Sequence, residues 1–311
     1  MTRKYQSRSH GSAGILHQAA VELGKVQTLR HCRHASLIAA SAVLACLSVG
    51  AQAQGKLEAR YSASLAGIPL GTGIWVIDIA PDQYTAVASG RTTGLVKLIS
   101  DGSGSGGARG TVHGATMAPT SYASSTTADK HTDEVRMTLR AGTVKDVLAE
   151  PPLIPSPDRV PVTEAHRKGV TDPMSAAIIP VAGNGDVLTP DACKRKLPIF
   201  DGRQRADIDL VFKRMDRVKA DKGYQGPVVV CTVLYKPIAG HRPERPAIKY
   251  LVEQRDMEMW LAPIVGTRVL VPFRFSVPTP FGLGVLQATY FVAQPQPTQA
   301  ARQVPARAQT Q

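Results

Sequence analysis

Cysteine is scarce in this chain. Of four in 311 residues, Cys32 and Cys46 fall in the first 46, which leaves Cys193 and Cys231 for all the rest. Two cysteines cannot build a structural zinc centre, which takes four nitrogen or sulfur ligands. The histidines beyond residue 50 are His113, His131, His166 and His241, and none has a second histidine or a carboxylate at metal-helix spacing. No serine stands in a Gly-x-Ser-x-Gly elbow. No apolar run of about 20 residues follows residue 50, so no membrane-spanning helix is expected in the mature chain. The residues therefore assign no catalytic group, no cofactor site and no metal site. The basic clusters Lys194-Arg195-Lys196 and Lys213-Arg214 are short and lack interleaved aromatics, as solvated faces do. Nucleic acid is not an expected partner. Anionic lipid or polysaccharide headgroups remain compatible with the net charge of +13.

What is present begins with an address. Arg30, His31, Arg33 and His34 form a basic cluster, Ala35 to Gly50 carries no charge, and Ala51-Gln52-Ala53 follows. Basic head, apolar middle and small-x-small site make a secretory signal peptide. Residues 1–29 are long, polar and Ser/His-rich for such a head, so either the start is over-early, with translation beginning nearer Val26 or Leu29, or the leader is unusually long and basic. A lipoprotein box at Val43-Leu44-Ala45-Cys46 is the alternative, with the lipid on Cys46. Cleavage after Ala53 removes six basic residues and one acidic residue, and leaves 31 against 23, or +8. The expected organisation is a signal peptide over 1–53, a β domain over 54–293 and a disordered Gln/Pro/Ala-rich tail over 294–311. The expected location is the periplasm.

The mature chain alternates at period two. Leu57, Ala59, Tyr61, Ala63 and Leu65 predict a half-buried strand, and Gly67-Ile68-Pro69-Leu70-Gly71 breaks it. Ile74 to Ile79, Tyr84 to Ala88, Leu95 to Ile99, Thr120 to Thr126 and Glu134 to Leu139 predict further strands. Five prolines between 151 and 161 exclude regular structure there. Asp172-Pro173-Met174-Ser175 starts a short helix, with Asp172 as its cap and Pro173 in its first turn. Val228 to Tyr235, Lys249 to Val252, Met257 to Leu261, Arg268 to Val277 and Leu283 to Val292 predict the last strands, with short antiparallel connections. Ile208, Val211, Phe212, Met215 and Val218 make a helical stripe, while Ile208, Leu210 and Phe212 alternate as a strand. Both readings fit part of the pattern, and periodicity alone slightly favours the helix.

Three motifs carry chemical meaning. Gly102-Ser103-Gly104-Ser105-Gly106-Gly107 has the spacing of a dinucleotide loop, but Arg109-Gly110-Thr111-Val112 opens no helix after it, so a flexible hairpin loop is expected. Cys193 and Cys231, a lone pair in an oxidising compartment, are expected to form a disulfide worth roughly 4 kcal/mol on the loop-entropy model. Asp201, Arg203 and Arg205 share one face if the stretch is extended, and make either an anion-recognising spot or a salt-bridged ladder. His241-Arg242-Pro243-Glu244-Arg245 is expected to be an exposed loop.

The order of features resembles a known family. It runs from Tyr61-Ser62-Ala63-Ser64-Leu65 into Gly67-Ile68-Pro69-Leu70-Gly71, then to Tyr84, Arg91-Thr92-Thr93-Gly94-Leu95 and Pro119 to Tyr122. Asp172-Pro173-Met174-Ser175 follows, then Phe200-Asp201-Gly202-Arg203-Gln204-Arg205, then a cysteine strand running into Tyr235-Lys236-Pro237-Ile238-Ala239-Gly240. This is similar to the domain of unknown function 3108 family over most of 57–292. The resemblance implies an envelope-located, mainly antiparallel β domain, no established reaction, and a strand rather than a helix at 205–213. The expected fold is a mainly β, antiparallel curved sheet or barrel, lipocalin-like or half-barrel, with one short helix. The expected function is non-catalytic binding of a lipid, a glycan or an envelope protein. The rivals are an enzyme acting on envelope polymer and an assembly factor without a small ligand. Val269, Val271, Phe273, Phe275 and Val277 are expected on one concave face, beside Leu283, Val285 and Phe291, where an apolar ligand would sit.

Overall fold

The computed structural model describes residues 54–94 and 101–295. The signal segment, Cys32, Cys46, the strand expected at Leu95 to Ile99 and the tail from 296 onward lie outside the described residues. Seven strands come first: β1 (Gly55–Leu65), β2 (Ile68–Ile79), β3 (Gln83–Thr92), β4 (Gly102–His113), β5 (Thr116–Ala128), β6 (His131–Arg140) and β7 (Thr143–Glu150). After the proline-rich stretch come helix α1 (Pro173–Ala176), β8 (Ile179–Pro180), β9 (Arg195–Phe200), β10 (Arg205–Lys219), β11 (Lys222–Gly223) and β12 (Gln225–Ala239). Helix α2 (Pro246–Glu253), β13 (Glu258–Pro263), β14 (Val269–Thr279) and β15 (Gly282–Pro295) complete the fold.

The sheet runs β7-β6-β5-β4-β3-β2-β1-β15-β14-β13-β12-β10-β9, antiparallel at every step along this path. It is open, with β7 and β9 as its two ends. Curvature brings strands from both halves of the order, β3 to β1 and β15 to β12, onto one concave core. Leu57, Ala59, Ile77, Tyr84 and Ala86 meet Val228, Val230, Trp260, Val271, Phe273 and Phe291 there. Phe273, Phe291 and Tyr224 pack as tilted rings with centroids 5.4 to 6.4 Å apart, within the range of favourable aromatic pairs. Phe273 and Val271 are fully buried and Phe291 is 1 % exposed.

The glycine-rich stretch expected as a loop is instead the body of β4. Two glycines of this strand, Gly106 and Gly110, give room to neighbours. A Cβ on Gly110 would meet Tyr84 Cε1 at 2.4 Å and Ala118 O at 2.4 Å, and one on Gly106 would come within 3.4 Å of Met174 Cε. Strand glycines of this kind mark close approach of a neighbour. They let Tyr84 and α1 sit against the inner face. Asp172 caps α1 as expected, with Oδ1 accepting from the Met174 and Ser175 amides at 3.0 and 2.9 Å. Tyr84 and Ser175 hydroxyls join at 2.6 Å.

Two further expectations are corrected. Lys249 to Val252 is not a strand but part of α2, so the described residues hold two α-helices rather than one. Ile248, Leu251 and Val252 sit at i, i+3 and i+4, and Leu251 packs on the core below. The alternation at Val269 to Val277 does not mark one face. A bulge lies where Leu261 pairs with Pro272 but Trp260 pairs with Arg274. One extra residue switches the faces. Val269, Val271 and Phe273 point into the concave core, whereas Phe275 and Val277 join a second core on the outer side.

That outer core is a second layer. Residues 179–197 cross the convex side of β10, β12, β13 and β14, burying Leu210, Val229, Val233, Leu261 and Leu270. Cys193 is joined to Cys231 on β12, the two Cα atoms 5.4 Å apart and both residues fully buried. Arg268 holds the same segment through its guanidinium, donating to the carbonyls of Val181, Ala182 and Gly185 at 3.1, 3.1 and 2.7 Å. β10 is a strand throughout, as the resemblance implied, with a bulge between Phe212 and Arg214. Before the bulge Ile208, Leu210 and Phe212 face the outer core, and after it Val218 faces the inner one. No helix among the described residues is long and apolar enough to cross a membrane, which leaves crossing by strands untouched.

Candidate functional site

The two ends of the sheet are finished differently. The free edge of β9 is taken by residues 170–171. Thr171 donates to Pro198 O at 2.8 Å and accepts from Phe200 N at 2.9 Å, while Val170 donates to Gly142 O at 2.8 Å. This short segment ties β9 to the β6–β7 turn. Beyond Gly142, β7 has no backbone partner on its outer side among the described residues. The proline-rich stretch folds back beside that edge and leaves a groove of about 520 Å³ at the seam.

The far wall of this groove is a strap, residues 152–162, pinned to the turn after β12. Val160 N donates to His241 O at 3.0 Å, and Gly240 N to Val160 O at 2.8 Å. Arg159 Nη1 donates to Gly240 O at 2.5 Å, and Arg242 pairs with Asp158 at 3.0 Å. His241 is buried rather than exposed, which corrects the loop expected there; Arg242 to Arg245 are exposed. Burial pushes the His241 imidazole below its ordinary value, against a smaller opposing effect of its hydrogen bond at Ala239.

Two kinds of side chain line the groove. Val147, Leu148, Leu153, Ile154, Val160 and Val162 supply apolar surface, with Ile154 at 79 % exposure. Arg159, Arg167 and Arg203 supply three guanidiniums, and the Nε–H of each is buried without a hydrogen-bond partner. Such donors are costly to leave unmet. Arg203 donates to Glu150 O at 2.9 Å and pairs with Asp133 at 3.2 Å. Arg167 pairs with Glu164 at 2.9 Å.

Asp201, Arg203 and Arg205 are not one face of a strand. Asp201 to Gln204 form a turn, because Asp201 Oδ1 accepts from the amides of Arg203 and Gln204 at 2.8 and 2.6 Å and Gly202 takes φ +95°. Gly202 approaches Val135 so closely that a Cβ would lie 2.3 Å from its Cγ1. The turn sends Arg203 into the groove, while Arg205 opens β10 and pairs with Asp207 at 2.6 Å. Of the three, only Arg203 reaches the groove. Arg159 and Arg167 carried no sequence signal, since they stand singly in a stretch legible only as irregular.

A denser polar cluster sits on β10, β13 and β14. Arg214 holds Glu258 with two hydrogen bonds of 3.0 Å, and Lys213 reaches the same carboxylate at 2.6 Å. Trp260 Nε1 donates to Asp216 at 3.0 Å. Arg214 and Arg274 lie over the Trp260 ring, 5.4 and 4.8 Å from its centroid. The Arg214 hydrogen bond holds the Glu258 carboxyl below its ordinary value, and the Trp260 hydrogen bond does the same for Asp216. Glycoside hydrolysis by a carboxylate pair needs one member protonated. Both are held ionised here, so this cluster lacks the proton donor. Asp172 is the opposite case, its carboxyl raised by burial, but it is sealed from solvent and occupied as a helix cap. Among the described residues no three of His, Cys, Asp or Glu stand together as a metal-holding group.

Over most of its length the concave face of β14 and β15, where an apolar ligand is expected, is filled by its own side chains, with Val271, Phe273 and Phe291 buried in the core. At one end Val269 lines a hollow of about 390 Å³ with Ile79, Val112, Met117 and Pro180. Another hollow, about 700 Å³, is a trough on the convex side of β1 to β5, floored by small residues such as Ser89, Ser103, Ser105 and Ser125. It has no comparable apolar wall.

A family model described as a protein of unknown function, DUF3108, matches residues 60–289. No protein of curated function matches. Among solved structures the chain is similar to a β-barrel-like protein of the domain of unknown function DUF1849 from Brucella abortus. The two are 9 % identical with a TM-score of 0.40, over 78 % of this chain and 98 % of that one.

Proposed function

Because the chain belongs to the DUF3108 family, whose description names no reaction, we propose its function from the seam: it is a non-catalytic protein of the cell envelope that holds an amphiphilic molecule in the groove between β7 and the strap. One observation carries this reading. The groove sets an apolar wall, Val147, Leu148, Leu153 and Ile154, against the guanidiniums of Arg159, Arg167 and Arg203. An apolar chain with a polar end satisfies both at once, whereas a sugar leaves the apolar wall unmet. The volume of about 520 Å³ lies inside the range of small-molecule sites, roughly 300–1,000 Å³. The signal-like segment at 30–53 supports an envelope address, where such molecules abound.

Native mass spectrometry of protein purified from the envelope fraction without detergent tests this. The expected result is a population carrying a small apolar-chained adduct. A Leu153→Asp variant loses the adduct while its unfolding midpoint stays put, because the strap is at the surface. Protein free of adduct, or adduct undiminished in the variant, contradicts the reading.

A further inference from the structure

We propose that the paired tips of the β1–β2 and β14–β15 hairpins dock on a lipid bilayer, with Phe281 and Ile68 as the side chains that enter it. Docking of the tips does not depend on what the groove holds.

Composition sets these two hairpins apart. In a chain that is 20 % charged, no charged residue stands from Tyr61 to Ile77 or from Phe275 to Pro295. The tips themselves, Ala66-Gly67-Ile68-Pro69 and Pro280-Phe281-Gly282-Leu283, are apolar or small. The fold places them side by side, because β1 pairs with both β2 and β15. Leu65 lies opposite Ile68 on one flank and opposite Gly284 on the other. Ala66 N donates to Leu283 O at 3.0 Å, and a Cβ on Gly282 would meet the Cβ of Ala66 at 2.7 Å. The two turns are therefore one surface. It presents Phe281 at 80 %, Ile68 at 56 % and Leu283 at 43 % exposure. Adjoining exposed apolar side chains of this kind mark a binding place.

The chemistry favours a bilayer over a protein partner. Entry into a membrane penalises charge and unpaired backbone groups. Both hairpins lack charge, and Pro69, Pro278 and Pro280 have no N–H to leave unmet. Phe281 N donates to Thr279 Oγ1 at 3.2 Å, and the Thr279 hydroxyl donates to Gly282 O at 2.7 Å. Leu70 O accepts from Thr93 N at 2.9 Å. Much of the backbone at the tips is thus closed within the protein, as an apolar medium requires. A protein interface would instead ring its apolar centre with a polar rim, and these strands offer no charged residue for one. Phe and Leu are side chains that bury at the boundary of headgroups and acyl chains.

The test is co-sedimentation of the purified mature chain with vesicles of phosphatidylethanolamine and phosphatidylglycerol, at low and at high salt. The parent should sediment with the vesicles, and salt should not release it, because the tips carry no charge. Phe281→Ser should lower the partition coefficient roughly ten-fold and Ile68→Ser about five-fold, the loss expected when one apolar side chain is removed from each tip. Val87→Ser, at an exposed apolar residue of the convex face, should leave the coefficient unchanged. All three side chains are at the surface, so the unfolding midpoints should match the parent. In Phe281→Trp, vesicles should shift the new indole emission to the blue. A parent that stays in the supernatant, sedimentation abolished by salt, undiminished sedimentation of Phe281→Ser, or an unshifted emission overturns the proposal. Each of those results leaves the groove reading standing, since that reading is decided by the adduct and by Leu153→Asp.

Discussion

The strands β1 to β7 and the strands β9 to β15 belong to one sheet but are buried differently. Of the later strands, β10 and β12 to β14 are covered on both faces. Their concave side packs on the inner core and their convex side lies under residues 179–197, locked by Cys193–Cys231. The earlier strands are covered on one face only. Their convex side is a bare surface of serine, threonine and small residues, with Val87 at 59 % and Ile74 at 45 % exposure. A sheet with two buried faces reads as a continuous apolar run, and one with a single buried face reads as alternation. Val228-Val229-Val230-Cys231, all fully buried, is the first kind, and Leu57, Ala59 and Tyr61 of β1 are the second. The groove lies where the singly covered half runs out and its last edge meets the strap.

The largest effect that would sharpen this contrast is loss of the disulfide. Replacing both cysteines with serine should cost about 4 kcal/mol, for a closed loop of separation 38. Chemical denaturation reads this directly. A loss below about 1 kcal/mol would mean that the outer layer does not depend on its lock.

Next comes packing in the outer core. Leu270→Ala should cost about 3 kcal/mol, because Leu270 is fully buried on the side that the earlier strands leave bare. Gly110→Ala asks whether the inner face of the thin half is equally tight. With Tyr84 and Ala118 in the way at 2.4 Å, the substitution should cost about 1–3 kcal/mol. A neutral result would show slack behind β4.

Acid should act on the thick half through Glu258 and Asp216. Both carboxyls are depressed in the folded state, so the stability they contribute is full above the unfolded carboxylate range, near pH 4. It is lost as pH falls through their lower folded values. The unfolding midpoint should therefore drop on acidification below about pH 4, and Arg214→Gln should flatten the drop by freeing Glu258. An unchanged acid limb in that variant would remove the cluster from the account. Smallest of all, Ser105→Ala on the bare convex face should stay within about 0.5 kcal/mol of the parent.

How much of this the sequence showed follows from the same contrast. Alternation located β1, β3 and β6, and the strong β runs located β12 to β15. Asp172-Pro173 marked α1, and the lone cysteines marked their own bond. What stayed hidden is local and physical. Bulges at Phe212/Arg214 and at Phe273 insert one residue each, so a pattern on one face becomes a pattern on two. In β10 that insertion mimics a helical stripe. Glycines in β4 were legible only as flexibility because the partners that need the room, Tyr84 and Met174, are distant in sequence. The groove was not legible at all. It is made from the edge of β7, a proline-rich strap and a turn after β9, each irregular or ordinary alone. The sequence marks Arg203 beside Asp201, but for a shared strand face that the Asp201 turn abolishes.

Amide hydrogen exchange with and without a saturating acyl-chain probe would test the central claim most directly. If the seam is the binding place, protection should rise in residues 147–162 and around Gly202-Arg203, and Val269 to Phe273 should be unchanged. Protection centred on β14, or no change at the seam in protein that binds the probe, would contradict the account.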